Sequence, residues 1–231
     1  MHEAENALIA SARGQGRTNL TEHEGKRLLA GYGVPVVEER LVTDLAAAKA
    51  AAQQLGYPVA LKVCAAGLAH KTESGLVALR LRDERDLEDA FRTVSARIPA
   101  GIPDVTFLVQ KMVGGARELI VGMMRDPQFG PAVMFGLGGI FAEALSDVAF
   151  RLVPLSPFDT CDMIDEIEGR AILGAIRGMA PVNRGALIKS VMALSEIAVA
   201  HPEIRAIDVN PLIVGPDGGP VAVDALVVLE H

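Results

Sequence analysis

Two hydrophobic periods take turns along this chain. Leu87, Phe91, Val94 and Ile98 recur at three- and four-residue spacing behind Asp83, an N-cap candidate, so they line one face of a helix. Thr21 and Glu24 have the spacing of a capping box and open a helix through Leu28 and Leu29, which Gly31 and Gly33 end. Another begins at Thr43-Asp44, runs through an alanine-rich segment to Leu55 and stops at Gly56. Ser156-Pro157 predicts a helix toward Ile164, and a longer one starts near Asn183, burying Leu187, Val191, Leu194 and Ala198 before His201-Pro202 ends it. Alternating or continuous apolar runs predict strands over 58–63, 76–81, 106–112, 118–124 and 131–135, with a further apolar piece at 150–154. Residues 34–38 continue extended. Residues 1 to about 18 lack sustained periodicity and read as an arm or frayed helix, and 101–105 reads as a crossover between two lobes.

The last part of the chain has a different pattern. Two Val- and Ile-rich runs flank Gly215-Pro-Asp-Gly-Gly-Pro220, which supplies the positive-φ and fixed-φ positions of a tight reversal. In a hairpin centred on Asp217, Asn210 lies opposite Asp224 and Asp208 lies diagonal to both, while Ile207 and Val209 point into the core. A carboxylate plus an amide carbonyl, with Asp208 diagonal to them, is a sparse oxygen set, suited to a cation such as Mg²⁺ that keeps waters and takes further ligands from substrate phosphates. A surface hairpin with solvated Asp and Asn is the plainer alternative.

Composition narrows the class. The 231 residues are half hydrophobic, 4% aromatic and without Trp, which suits a globular α/β chain with a substantial core. No apolar run approaches the roughly 20 residues needed to span a bilayer, and Met-His-Glu-Ala-Glu lacks a basic n-region, so a cytoplasmic location is expected, without membrane contact. The net charge of −7 argues against a nucleic-acid surface. Cys64 and Cys161 have no repeated spacing and suggest neither a disulfide framework nor a Cys-type zinc site.

An anionic ligand must therefore be met locally, and several residues are candidates. Lys62 interrupts an apolar strand, where burial is costly unless an anion meets it; a lysine guarding an edge strand is the other reading. The segment Gly67-Leu-Ala-His70-Lys71-Thr-Glu-Ser-Gly75 has glycine at both ends, amides that can cradle phosphates, and a histidine able to accept a phosphoryl group. The Walker spacing is absent. Gln110, Lys111, Met112 and Val113 offer backbone groups to an adenine edge, and Glu118 can bind a ribose hydroxyl. Arg125 and Arg151, each at a strand end or start, can reach a transferring phosphoryl group.

Taken in order, Lys62, the His70-Lys-Thr-Glu loop, Val109-Gln-Lys-Met-Val, Glu118 through Asp126-Pro-Gln-Phe-Gly-Pro131, Phe135-Gly-Leu-Gly-Gly and Asp208-Val-Asn-Pro-Leu resemble ATP-grasp enzymes. More narrowly, residues 20 to 229 resemble the ATP-grasp (beta) part of NDP-forming acyl-CoA synthetases, relatives of succinyl-CoA synthetase. The resemblance implies an ATP-grasp fold of two lobes, a smaller one of about 38–108 and a larger one of 19–37 plus 109–231, with nucleotide between them. It implies ATP or ADP on Lys62, Gln110 to Val113 and Glu118; Gly67, Lys71 and Arg151 are further nucleotide candidates by their own chemistry, and Lys71 and Arg125 would neutralise charge on the transferring group. Mg²⁺ would sit on Asn210 and Asp224, and His70 would carry phosphate to a partner. Ala65-Ala66-Gly67 stands where the family often has Ser-Pro-Asp, and Gly75-Leu76 where it has Gly-Gly. No Gly-x-Gly-x-x-Gly follows a strand, so a CoA-binding alpha-type partner, in a hetero-oligomer, would handle CoA and the carboxylic acid. A stand-alone carboxylate-amine ligase and a non-catalytic nucleotide sensor are the rivals.

Overall fold

The computed structural model describes residues 2–67, 75–115, 117–139, 147–176 and 178–230. The chain divides into two compact units, one of residues 37–112 and one of residues 1–36 with 113–231. The segment 101–105, read from the sequence as a crossover, lies inside the smaller unit.

The smaller unit is a four-stranded antiparallel sheet with two helices on it. Its strands are β1 (Glu39–Val42), β2 (Val59–Cys64), β3 (Val77–Leu81) and β4 (Thr106–Lys111), in the order β1-β4-β2-β3. Helix α3 (Leu45–Leu55) starts where the Asp44 carboxylate accepts the Ala47 N–H and ends at Gly56, whose φ of 78° only glycine adopts readily. Its buried Ala48, Ala51 and Ala52 let it sit close on the sheet. Helix α4 (Glu84–Ser95), capped by Asp83, buries Leu87 and Val94, and Phe91 packs on Phe107 with ring centroids 4.4 Å apart. The sequence reading missed β1 because Glu39 and Arg40 break its apolar pattern; pairing with β4 makes it a strand.

The larger unit is built on a sheet of order β10-β8-β5-β6-β7, with β9 paired to β8. Its strands are β5 (Arg117–Asp126), β6 (Gly130–Leu137), β7 (Val148–Leu152), β8 (Ile204–Val214), β9 (Pro220–Ala222) and β10 (Leu226–Leu229). Helices α2 (Glu22–Gly31), α5 (Pro157–Glu166) and α6 (Arg184–Ala200) cover one side, and the Thr21–Glu24 and Ser156–Asp159 capping boxes fix where the first two begin. Asn183 caps α6 by accepting the Ala186 N–H.

The N-terminal arm expected from sequence is instead helix α1 (Glu3–Gly14), whose Ile9 and Ala12 belong to this unit's core. Its N-cap, His2, makes no side-chain capping bond, so the usual start signal is absent from the sequence. Packing on α2, rather than local propensity, orders it. Among the described residues no helix is long and apolar enough to cross a membrane.

Candidate functional site

The terminal hairpin carries the densest chemistry. Leu212, Ile213 and Val214 of β8 pair with Ala222, Val221 and Pro220, and the Val223 N–H reaches the Pro211 carbonyl at 3.3 Å. Further along, Asp208 pairs with Leu226 in the same register. That register sets Asn210 across from Asp224, as the turn chemistry predicts. Residues 223–225 lie outside both flanking strands, so the expected second arm is split into β9 and β10.

On its other side β8 is bulged. Leu119 pairs with Leu212 and Val121 with Val209, so Asn210 and Pro211 together oppose Ile120. The peptide between Asn210 and Pro211 is cis. Val209 and Leu212 are both buried while Asn210 is exposed. Alternation from Ile207 and Val209 already leaves Asn210 on the outer face, and the extra residue of the bulge resets the phase so that Leu212 and Val214 return to the core.

Asp208 shows what the site lacks. Its Oδ1 is buried without a hydrogen-bond partner among the described residues. Burial pushes its carboxyl above the ordinary aspartate range, and the charge of Asp224 pushes it further. Asp224 itself accepts the Ala225 N–H at 2.8 Å through Oδ1. A buried Asp208 carboxylate facing the charge of Asp224, beside an exposed amide, fits a hard divalent cation, which would fill the unsatisfied oxygen and offset the repulsion. Among the described residues no group of three His, Cys, Asp or Glu is placed to hold a metal, so any cation here relies on a mixed carboxylate-amide set.

Beside the bulge, Glu118 sits near the start of β5 against a glycine pair. Its carbonyl accepts the Gly138 N–H at 2.8 Å, and a Cβ on Gly139, whose φ is 59°, would press into Glu118 Oε2. The two glycines therefore bring backbone up to the carboxylate. Neighbouring Arg117, which the sequence reading passed over, is 2% exposed and donates to the carbonyls of Ile172, Gly174 and Ala180. It fastens the segment before α6 to the strand.

In the smaller unit, Lys62 is 6% and Gln110 3% exposed. Strand β2 lies between β4 and β3, which removes the edge-strand reading of Lys62. Lys62 pairs with Leu108 and Ala60 with Gln110, so Lys62 and Gln110 share the sheet face opposite the core residues Leu61, Val63 and Val109. The Lys111 N–H donates to Glu38 and the Met112 N–H to Pro58, so these two amides are already engaged. Gly67 and Gly75, which bracket the predicted phosphate loop, have φ of 82° and 66°. His70 and Lys71 lie outside the described residues.

Two arginines expected near the transferring group are engaged by the protein itself: the Arg125 guanidinium donates to the carbonyls of Ile204 (2.7 Å), His201 (2.9 Å) and Ala198, gathering the C-terminal end of α6. Cations favour that helix end, where carbonyls lack intrahelical partners. Arg151 is likewise engaged, with Asp162 and Glu166 of α5 and the Phe150 carbonyl.

Comparison with known proteins agrees with this architecture. Residues 11–229 match the ATP-grasp domain family. The chain is 40% identical over 225 residues to the beta subunit of acetate–CoA ligase (ADP-forming) I of Pyrococcus furiosus, covering 96% of each. It is 39% identical to 30% of the longer acetate–CoA ligase (ADP-forming) I of Archaeoglobus fulgidus. Among solved structures it superposes, with a TM-score of 0.91 and 38% identity over 98% of this chain and 100% of the other, on acetyl-coenzyme A synthetase 1 of Candidatus Korarchaeum cryptofilum in complex with coenzyme A and Ca-AMPCP. The same synthetase is also known with Mg-AMPPCP, its phosphohistidine segment pointing towards the nucleotide binding site.

The chain belongs to the ATP-grasp family, whose fold binds nucleotide. Within it, its relatives are the beta subunits and ATP-grasp parts of ADP-forming acyl-CoA synthetases, which are acid–thiol ligases.

Proposed function

We propose that this chain is the nucleotide half of an ADP-forming acyl-CoA synthetase, exchanging a phosphoryl group between ATP and His70 so that a CoA-binding alpha-type partner, in a hetero-oligomer, makes acyl-CoA from a carboxylic acid. The observation that carries the reading is the buried, unsatisfied oxygen of Asp208 within reach of the Asp224 charge, beside the out-turned amide of Asn210. These three residues would hold Mg²⁺, which when bound supplies charge neutralisation to the nucleotide phosphates. Lys62 meets phosphate oxygens with a buried ammonium. Glu118 accepts from a ribose hydroxyl. With the Lys111 and Met112 amides engaged, the adenine is read by the Val113 N–H and by carbonyls of 110–113. Gln110 lines the same strand, and Gly67 and Lys71 belong to the loop that brings His70.

The chemistry assigned to the chain's own residues is a reversible transfer. A neutral imidazole nitrogen of His70 attacks the γ-phosphorus, the bond to the β–γ bridging oxygen breaks, and ADP leaves with that electron pair. The other ring nitrogen loses the proton. Lys71 offsets charge as the group moves. At the partner the phosphoryl group passes to the carboxylic acid, and CoA displaces phosphate from the acyl phosphate. A cytoplasmic setting, where ATP and CoA are both available, belongs to the same reading.

The test is labelling. Incubation with Mg²⁺ and γ-labelled ATP yields acid-labile, base-stable label that His70→Ala abolishes while nucleotide binding survives. Acyl-CoA formation at full rate by His70→Ala with the partner present would sink the relay.

A further inference from the structure

One face of the larger unit's sheet carries an apolar surface formed by none of the site residues named above. Met124 pairs with Ala132 and Ala132 with Leu152; one rung on, Gly122 pairs with Met134 and Met134 with Phe150. Directly paired residues share a face, and the intervening positions Met123, Val133, Phe135 and Ala149 are the ones in the core. The opposite face is therefore six adjoining positions without a charge. Met124 is 52%, Phe150 49% and Leu152 55% exposed. At the Met124 end, the turn between β5 and β6 leaves Phe129 70% exposed. The turn is braced, because Asp126 Oδ1 accepts the N–H groups of Gln128 (2.8 Å) and Phe129 (2.9 Å). An aromatic ring on a fixed turn loses little freedom on being covered, which is the property of an interface anchor.

The adjacent charges are already satisfied, Arg125 by helix carbonyls and Arg151 by Asp162 and Glu166. Such a surface suits an apolar protein face and not an anionic ligand. The rung also has a direction. Gly122 pairs on its other side with Asp208, so the line Asp208, Gly122, Met134, Phe150 crosses from β8 to β7. At about 4.8 Å per strand this is roughly 14 Å. An occupant seated on the apolar face is thus held beside the carboxylate pair.

We propose that this face, with Phe129 at its edge, is the docking surface for the CoA-binding partner chain; the proposal rests on the acyl-CoA synthetase reading. The fused Archaeoglobus relative joins a unit like this one, 30% of its length, to a much larger remainder. In the beta-subunit relatives, which this chain matches over 96% and 97% of their length, a separate remainder has to be held by surface contact. A second copy of this chain would satisfy the apolar chemistry but has no reason to sit on the rung that ends at Asp208. The partner, which must receive the phosphoryl group, does.

The experiment uses the full chain and the purified CoA-binding chain of the same organism. Phe129→Ser with Leu152→Ser, and separately Leu152→Glu, are expected to weaken the complex at least tenfold while Mg-ATP binding to the chain alone stays unchanged by calorimetry. Acyl-CoA synthesis should then fall at low partner concentration and recover at high concentration, with the same maximal rate. Wild-type affinity in both variants, beside a functional wild-type complex, overturns the docking surface and leaves the function standing. The same follows if the variants alter only self-association of the chain in sedimentation. A wild-type chain that neither binds this partner nor makes acyl-CoA with it overturns the function and the docking surface together.

Discussion

Asp208 lies within electrostatic reach of Asp224, and the second carboxylate adds to the larger effect of burial in favouring a proton on the first. The folded-state pKa of Asp208 is thus above the unfolded value of about 3.9. A group shifted upward contributes stability that is complete below the unfolded pKa and is lost as pH rises through the folded one. The metal-free protein should therefore lose stability above about pH 4 in a way that Asp208→Asn does not. At pH 7 the variant should therefore be the more stable of the two. Melts in chelator across pH 4 to 7 measure this. Parallel curves for the two proteins would mean that the carboxylate pair is not in conflict.

Where Mg²⁺ is bound, the sign reverses. Asn210→Ala removes a ligand and Asp224→Asn removes a charge at the cation site, and either should weaken Mg-ATP by at least ~1.4 kcal/mol, or tenfold. Titration calorimetry showing wild-type affinity in both variants would remove the cation from the hairpin.

Arg125 should behave as a structural residue. Its three carbonyl partners join β5, the end of α6 and the start of β8, so Arg125→Ala leaves helix-end carbonyls without a donor and should cost about 2–3 kcal/mol. Arg125→Lys should recover only part, since one ammonium does not match the guanidinium fork. Mg-ATP affinity at low temperature should remain within about twofold, a shift of less than ~0.5 kcal/mol. A variant with normal urea stability and no phosphoryl transfer would restore the catalytic role expected from the sequence.

The contrast between Arg125 and the hairpin shows which parts of the site the sequence exposes. Hairpin register follows from turn chemistry, and Gly215 to Pro220 fix it locally, so the facing of Asn210 and Asp224 is readable without tertiary information. The bulge at Asn210 is not, because it appears only in pairing with β5. An arginine at a strand end offers the same donors to a phosphate or to a helix terminus, and only the position of α6 decides between them. Helix α1 was hidden for a related reason: it lacks a cap, and its two buried residues gain their meaning from the core they meet. Lys62 was readable as a strand lysine, but whether its strand is edge or centre depends on β3 pairing on one side and β4 on the other.

Glu118 and Gly139 give a test that separates ribose recognition from general binding. Glu118→Ala should lower affinity for ATP but not for 2′,3′-dideoxy-ATP, bringing the two together. Gly139→Ala forces a side chain into Glu118 Oε2 at a position with φ of 59°, and should reproduce that loss with an added stability cost of about 1 kcal/mol or more. Equal weakening toward both nucleotides in Glu118→Ala would mean that the carboxylate does not read the sugar.

Lys62 gives the last prediction. Its side chain is buried in a central strand, on the face away from the smaller unit's core, and Lys62→Met removes the charge while keeping an unbranched chain of similar length. Its effect should fall on ligands in proportion to their phosphates: adenosine affinity unchanged, ADP and ATP weakened at least tenfold, or ~1.4 kcal/mol. Raising ionic strength should reduce the wild-type advantage for ATP only modestly, because a buried pair is screened less than an exposed one. Calorimetry with adenosine, ADP and ATP on both proteins decides the matter. An equal loss for all three ligands would make Lys62 a scaffold residue, and no loss for any would take it out of the site.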